Sequence, residues 1–126
     1  MRLLLDTHIL LWWLNDDPAL SHTASELIQE PENVIFISAV SMWEIWLKFS
    51  LDKLRLPEDF EQKLEQEGFE ALPLTAAHAR QVANLEWRHR DPFDRLLIAQ
   101  AQSSRLRFLT SDGKIGAYGD AVLFVE

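Results

Sequence analysis

The chain has 126 residues, 48% of them hydrophobic and 25% charged, which predicts one soluble globular domain spanning 1–126 with no disordered tract. A net charge of −8 argues against broad, nonspecific nucleic-acid binding, because phosphate affinity comes largely from Lys and Arg displacing counterions. The lack of cysteine excludes disulfides, thiolate zinc sites and cysteine nucleophiles, so any metal chemistry must use oxygen or histidine.

Arg2–Leu5 predicts a short buried strand, and Thr7 to Asn15 a helix apolar almost all round that Asp16-Asp17-Pro18 stops. Its apolar run, Ile9 to Leu14, is far shorter than the roughly 20 residues of a membrane span. No signal-peptide pattern follows, so no membrane association and a cytoplasmic location are expected. A second helix, Ser21 to Glu30, has Ser21 as N-cap and carries Ala24, Leu27 and Ile28 at helical spacing. Val34–Ile37 reads as the second strand, after which Ser38 caps a helix running to about Leu51. Pro57 opens a polar helix that reads as exposed and closes on Gly68. Phe69–Leu72 is a short strand, and Thr75 caps a helix carrying Ala76, Ala79, Val82 and Ala83. Asp91-Pro92 opens the next helix, which runs to about Ser103, and Phe108–Thr110 and Val122–Val125 supply the last strands. This order predicts an α/β fold of three layers, with a mostly parallel central sheet of four to five strands flanked by helices.

Four carboxylates fall where such a chain leaves a strand or enters the helix beside one: Asp6, Glu44, Asp94 and Asp112. Asp6 and Asp112 lie just past predicted strands, on the edge where open α/β sheets bind ligands. Each acid also has a plain structural reading. Asp6 can cap the following helix, Asp112 can make a turn in Ser111-Asp112-Gly113, and Asp94 can favour a helix dipole behind the N-cap Asp91. Glu44 stands in a helix where, from Ala39 to Phe49, only Ser41, Glu44 and Lys48 are polar, three and four residues apart on one stripe. A carboxylate in such surroundings needs a partner, either Lys48 or a cation. Brought together, the four would repel: one pair about 4 Å apart at an effective dielectric near 20 costs roughly 4 kcal/mol. Magnesium and manganese, hard cations that prefer oxygen, suit such a site, and the lack of Cys and of a paired-His helix motif disfavours zinc.

Four segments, in order, carry a family resemblance: Leu3-Leu4-Leu5-Asp6-Thr7-His8, Ile37-Ser38-Ala39-Val40-Ser41-Met42-Trp43-Glu44-Ile45, His89-Arg90-Asp91-Pro92-Phe93-Asp94-Arg95-Leu96-Leu97-Ile98-Ala99-Gln100-Ala101 and Leu109-Thr110-Ser111-Asp112. Over nearly its whole length the chain resembles a PIN-domain ribonuclease, most closely the VapC-type toxins of bacterial toxin–antitoxin pairs. The resemblance implies a PIN-like fold and an acidic quartet at Asp6, Glu44, Asp94 and Asp112. It also implies cleavage of RNA with Mg²⁺ or Mn²⁺, a homodimer and a cognate antitoxin protein. The family's small hydroxyl beside the acids matches Thr7 and Ser111. Arg95 is expected near a phosphate, with a salt bridge to Asp91 as its alternative. Arg88, His89 and Arg90 are candidate RNA contacts in a loop, with plain surface solvation as the alternative for each. The expected mechanism is in-line attack of an activated water on a phosphodiester, with the ion stabilising charge on the nonbridging and leaving oxygens.

Two features extend the reading. Ile9, Leu10, Leu11, Trp12, Trp13 and Leu14, with Met42, Trp43, Trp46, Leu47 and Phe49, exceed what one helix face buries, so part of this surface is expected to meet a second copy or the antitoxin. Rival functions are a phosphoaspartyl phosphatase or receiver using Asp6, and a noncatalytic interaction module whose acids only cap helices. His8 stands where a dehalogenase-like phosphatase would want its second acid. Gly113, Gly116 and Gly119 match neither nucleotide-loop spacing, and no Gly-x-Ser-x-Gly elbow exists.

Overall fold

The computed structural model describes residues 1–86 and 91–126. Strand β1 (Arg2–Leu5) leads directly into α1 (Thr7–Leu14), followed by α2 (His22–Gln29) and β2 (Val34–Ser38). After β2 come α3 (Ala39–Ser50), α4 (Phe60–Gln66), β3 (Glu70–Leu72) and α5 (Ala76–Gln81). The chain closes with α6 (Pro92–Ser104), β4 (Arg107–Thr110) and β5 (Val122–Phe124). The five strands form one sheet in the order β3-β2-β1-β4-β5, and all four pairings are parallel.

The apolar run of β1 is what a central parallel strand requires, since both of its faces are covered. Leu3 and Leu5 enter a core that holds Ile9, Leu10 and Leu14 of α1, Ala24 and Ile28 of α2, Ile45 of α3 and Phe60 of α4. Leu4, pointing the other way, packs with Val40, Phe108 and the α6 residues Leu97, Ile98 and Ala101. The alternation of one strand thus divides the core in two and makes the molecule three layers thick. Full burial of each such side chain contributes on the order of 1.5–3 kcal/mol.

The predicted caps are realised. Ser21 accepts from the Ala24 N–H, Ser38 from Val40, Thr75 from His78, and Asp91 from Phe93 and Asp94, with Pro92 in the first turn. Gly68 follows α4 at φ +68°, a conformation that favours glycine. Three details differ from expectation. The fourth helix begins at Phe60 rather than Pro57, because the Phe60 N–H first closes a turn on the Pro57 carbonyl at 3.1 Å. That helix is also not simply exposed: Phe60 is 2% exposed and meets the Trp46 ring edge-on at 5.8 Å. Finally, α5 stops at Gln81 and tightens into a 3₁₀ turn over Val82–Asn84, and a second such turn spans Ile115–Tyr118.

The strand order fixes where a site can form. From β1 the chain builds outward through β2 to β3, then returns to lay β4 and β5 on the other side of β1. The crevice beyond the carboxyl ends of β1 and β4 is the switch point of the sheet, and Asp6 and Ser111-Asp112 follow those two ends directly.

Candidate active site

Asp6 is 4% exposed and occupies the N-cap of α1. Its Oδ1 accepts the His8 N–H at 3.2 Å, so the capping role is real. Its Oδ2 accepts the Thr110 hydroxyl at 2.6 Å. The same Thr110 Oγ1 accepts the Asp112 N–H at 3.1 Å, so one fully buried threonine at the end of β4 ties two of the four acids together. The Asp6 main chain is anchored as well, its N–H donating to the Leu109 carbonyl at 3.0 Å. Burial raises the Asp6 carboxyl above its ordinary value of 3.8; hydrogen bonds from Thr110 and His8 and the His8 charge oppose this, and the negative charge of Glu44 adds to it. Glu44 is therefore close enough to be felt.

Glu44 itself is 4% exposed. Its position follows from α3 starting at the end of β2, beside β1, and from the buried hydrogen bond that the Thr7 hydroxyl donates to Ser41 Oγ at 2.9 Å. One carboxylate oxygen, Oε2, takes the Lys48 ammonium at 2.6 Å. The other, Oε1, is buried and has no hydrogen-bond partner. A buried carboxylate oxygen left without a partner is costly, and such an atom calls for an explanation. Asp94 lies half-buried in the first turn of α6, brought toward α3 by an edge-on contact of Phe93 with Trp43 at 4.8 Å. Asp112 is half-buried, and its Oδ1 accepts the Lys114 N–H at 2.9 Å, the turn contact its Ser-Asp-Gly setting suggests.

Among the described residues, no three Asp, Glu or His side chains are drawn closely enough together to enclose an ion. Asp6, Glu44 and Asp112 instead turn toward a hydroxyl, an ammonium and a main-chain N–H respectively. The donor set nevertheless fits a hard divalent cation. The side-chain donors are all oxygens, and the orphaned Oε1 of Glu44 supplies a buried acceptor awaiting a positive charge.

Thr7 is spent on Ser41, and the hydroxyl against Asp6 belongs to Thr110. Ser111 is half-buried beside them. Arg95, expected near a phosphate, is 6% exposed; its guanidinium donates to the main-chain carbonyls of Glu86 at 3.1 Å and Val82 at 3.4 Å. Such a side chain is held inside the fold, tying α6 to the turn after α5 rather than reaching outward. Arg88, His89 and Arg90 fall outside the described residues.

A second buried network went unread in the sequence. Gln100, fully buried in α6, accepts the Ser38 hydroxyl and donates to the Pro73 carbonyl at 3.4 Å and to His78 Nδ1 at 3.3 Å. That nitrogen also accepts the Thr75 N–H at 3.1 Å, which leaves Nε2 to donate to Ser104 Oγ at 2.8 Å. The N-cap of α3 is thereby braced against α6 and α5. The available signal was a lone amide in the apolar stretch Leu96 to Ala101.

Comparison with known proteins agrees with this architecture. No protein with a curated description matches the chain. Among solved structures, VapBC2 from Rickettsia felis bound to a promoter DNA fragment is similar at TM-score 0.73 and 18% identity, covering 99% of this chain and 98% of that one. DNA-bound VapBC from Salmonella typhimurium is similar at TM-score 0.71 and 16% identity, with 99% and 97% covered. A toxin–antitoxin complex from Klebsiella pneumoniae is similar at TM-score 0.64 and 19% identity, with 95% and 94% covered. At these identities the likeness is one of fold. The family model described as the PIN domain matches residues 3–120, a span that includes Asp6, Glu44, Asp94 and Asp112, so the chain belongs to the PIN-domain family.

Proposed function

We propose that this protein is a Mg²⁺- or Mn²⁺-dependent endoribonuclease of the VapC toxin type, in which Asp6, Glu44, Asp94 and Asp112 hold the ion. PIN domains are nucleases and generally use divalent ions, which supports the reaction class. The observation that carries the reading for this chain is Glu44: a carboxylate 4% exposed, one oxygen unpartnered, close enough to Asp6 to raise its pKa.

When bound, a divalent ion supplies an activated water nucleophile and offsets charge on the phosphate. The chain's own residues do the placing. Thr110 fixes the rotation of the Asp6 carboxylate and the start of the Asp112 turn, and Thr7 pins α1 to α3 through Ser41, so that the acids of three segments keep one spacing. Ser111 is assigned a supporting hydroxyl role beside Asp112. Phosphate contact is assigned to Arg88, His89 and Arg90, while Arg95 holds α6 in place from inside the fold.

The test is cleavage of mixed RNA with and without Mn²⁺ by wild type and Asp6→Asn. Wild type is expected to cleave only with the ion. The variant, which loses a direct ligand, is expected to fall by more than the roughly 10–100-fold that outer-shell partners cost, with an unchanged circular dichroism spectrum. Equal activity in the two proteins would overturn the assignment.

We further assign the protein a homodimeric state and a cognate antitoxin. Two observations support a macromolecular partner. Trp43, Trp46, Leu47 and Phe49 of α3, with Leu51 behind it, are 38–54% exposed. An apolar cavity of about 650 Å³, lined by Ile37, Met42, Leu64, Phe69 and Leu72 among others, opens between α3, α4 and β3. The solved structures similar in fold include toxin–antitoxin complexes.

A further inference from the structure

Lys48 is the one basic residue on the polar stripe of α3, and its ammonium lies 2.6 Å from Glu44 Oε2 while its side chain remains 39% exposed. The pairing is asymmetric. Oε2 is occupied and the buried Oε1 is left without a partner. A lysine that served only to neutralise Glu44 would explain one oxygen and leave the second unexplained. An ion taken by Oε1 explains both, because the lysine then holds the carboxylate by the oxygen the ion does not use.

Charge counting supports the same arrangement. Four carboxylates and one divalent ion sum to −2, so an adjacent ammonium lowers the residual repulsion instead of opposing the ion. Helical spacing favours the contact: Glu44 and Lys48 are one turn apart on the same helix.

We propose that Lys48 is a positioning residue of the metal site: it fixes the Glu44 carboxylate through Oε2 and thereby leaves Oε1 to a divalent ion. This rests on the reading of the acids as a metal site, and the experiment separates the two. Mn²⁺ binding to the full-length protein is measured by the electron paramagnetic resonance of free Mn²⁺ for wild type, Lys48→Met, Lys48→Arg and Asp6→Asn, with folding checked by circular dichroism and melting in chelator. The expected result is a loss of Mn²⁺ affinity of about tenfold or more in Lys48→Met, the scale of a lost outer-shell partner. Lys48→Arg, which keeps the charge, recovers most of that loss. Lys48→Met is also expected to melt lower than wild type in chelator, because its Glu44 is left as an unpaired buried charge.

If Lys48→Met melts lower but binds Mn²⁺ as wild type does, Lys48 is merely structural and the proposal fails while the metal site stands. Tighter binding in Lys48→Met also overturns it, by making the lysine a competitor of the ion. If Asp6→Asn binds Mn²⁺ as wild type does, the acids are not the site and both readings fall together.

Discussion

Burial dominates the chemistry of the Asp6 carboxyl, and its consequence for stability has a definite sign. A carboxylic acid whose folded pKa lies above its unfolded value binds its proton more readily in the folded state, so its contribution is fully present below the unfolded value and is lost as pH rises through the folded one. Ionised Asp6 therefore weakens the metal-free fold near neutrality, as expected of a group kept for function rather than stability. In chelator, the stability of Asp6→Asn relative to wild type is expected to grow as pH rises above the ordinary carboxyl value of 3.8, read from urea midpoints. A difference that stays flat or shrinks would show that the Thr110 and His8 hydrogen bonds outweigh burial. At this scale the acids could be picked out from their places beside strand ends and on an apolar helix. Thr110 could not, because its donation to Asp6 joins residues 104 positions apart and leaves no local trace.

The helices are held in register by polar contacts buried between them. Gln100 is the hinge of that arrangement: it touches the α3 cap at Ser38, the strand exit at Pro73 and the α5 histidine at His78. Gln100→Leu keeps the bulk and removes the amide, stranding a buried hydroxyl and a carbonyl, at an expected cost of about 1–3 kcal/mol. Urea denaturation should show a lower midpoint with an unchanged slope. A change below about 0.5 kcal/mol, the scale of an ordinary surface substitution, would remove the network from any account of stability. Element boundaries were mostly legible because Ser21, Ser38, Thr75 and Asp91 announce helix starts by chemistry that acts within three residues. The start of α4 was missed because the Pro57 carbonyl and the buried Phe60 ring, rather than the proline's own preference, decide it.

For the whole molecule, the apolar surface of α3 is the feature that a single chain leaves unresolved. Trp43 is 53% exposed, and Leu51, at the C-cap of the helix, 54%. A patch of this composition is covered in most soluble proteins. Sedimentation velocity is expected to show a dimer, and Leu51→Arg to shift it toward monomer without loss of helical signal. A monomeric wild type would leave the face to a different partner. The three-layer architecture, by contrast, needs no partner: β1 is buried on both sides within one chain.

Periodicity, caps and the sequential alternation of strands and helices were determined by the sequence itself, because each depends on forces that act over a few residues: side-chain burial on one face, a hydroxyl or carboxylate on an N–H, a proline in a first turn. The tertiary structure alone decided that β1 lies at the centre, that Arg95 turns inward and that Thr110 and Gln100 bind acids and caps far away in the chain. Those outcomes rest on which surfaces meet once the core closes, and a buried polar group takes whichever partner the packing brings to it.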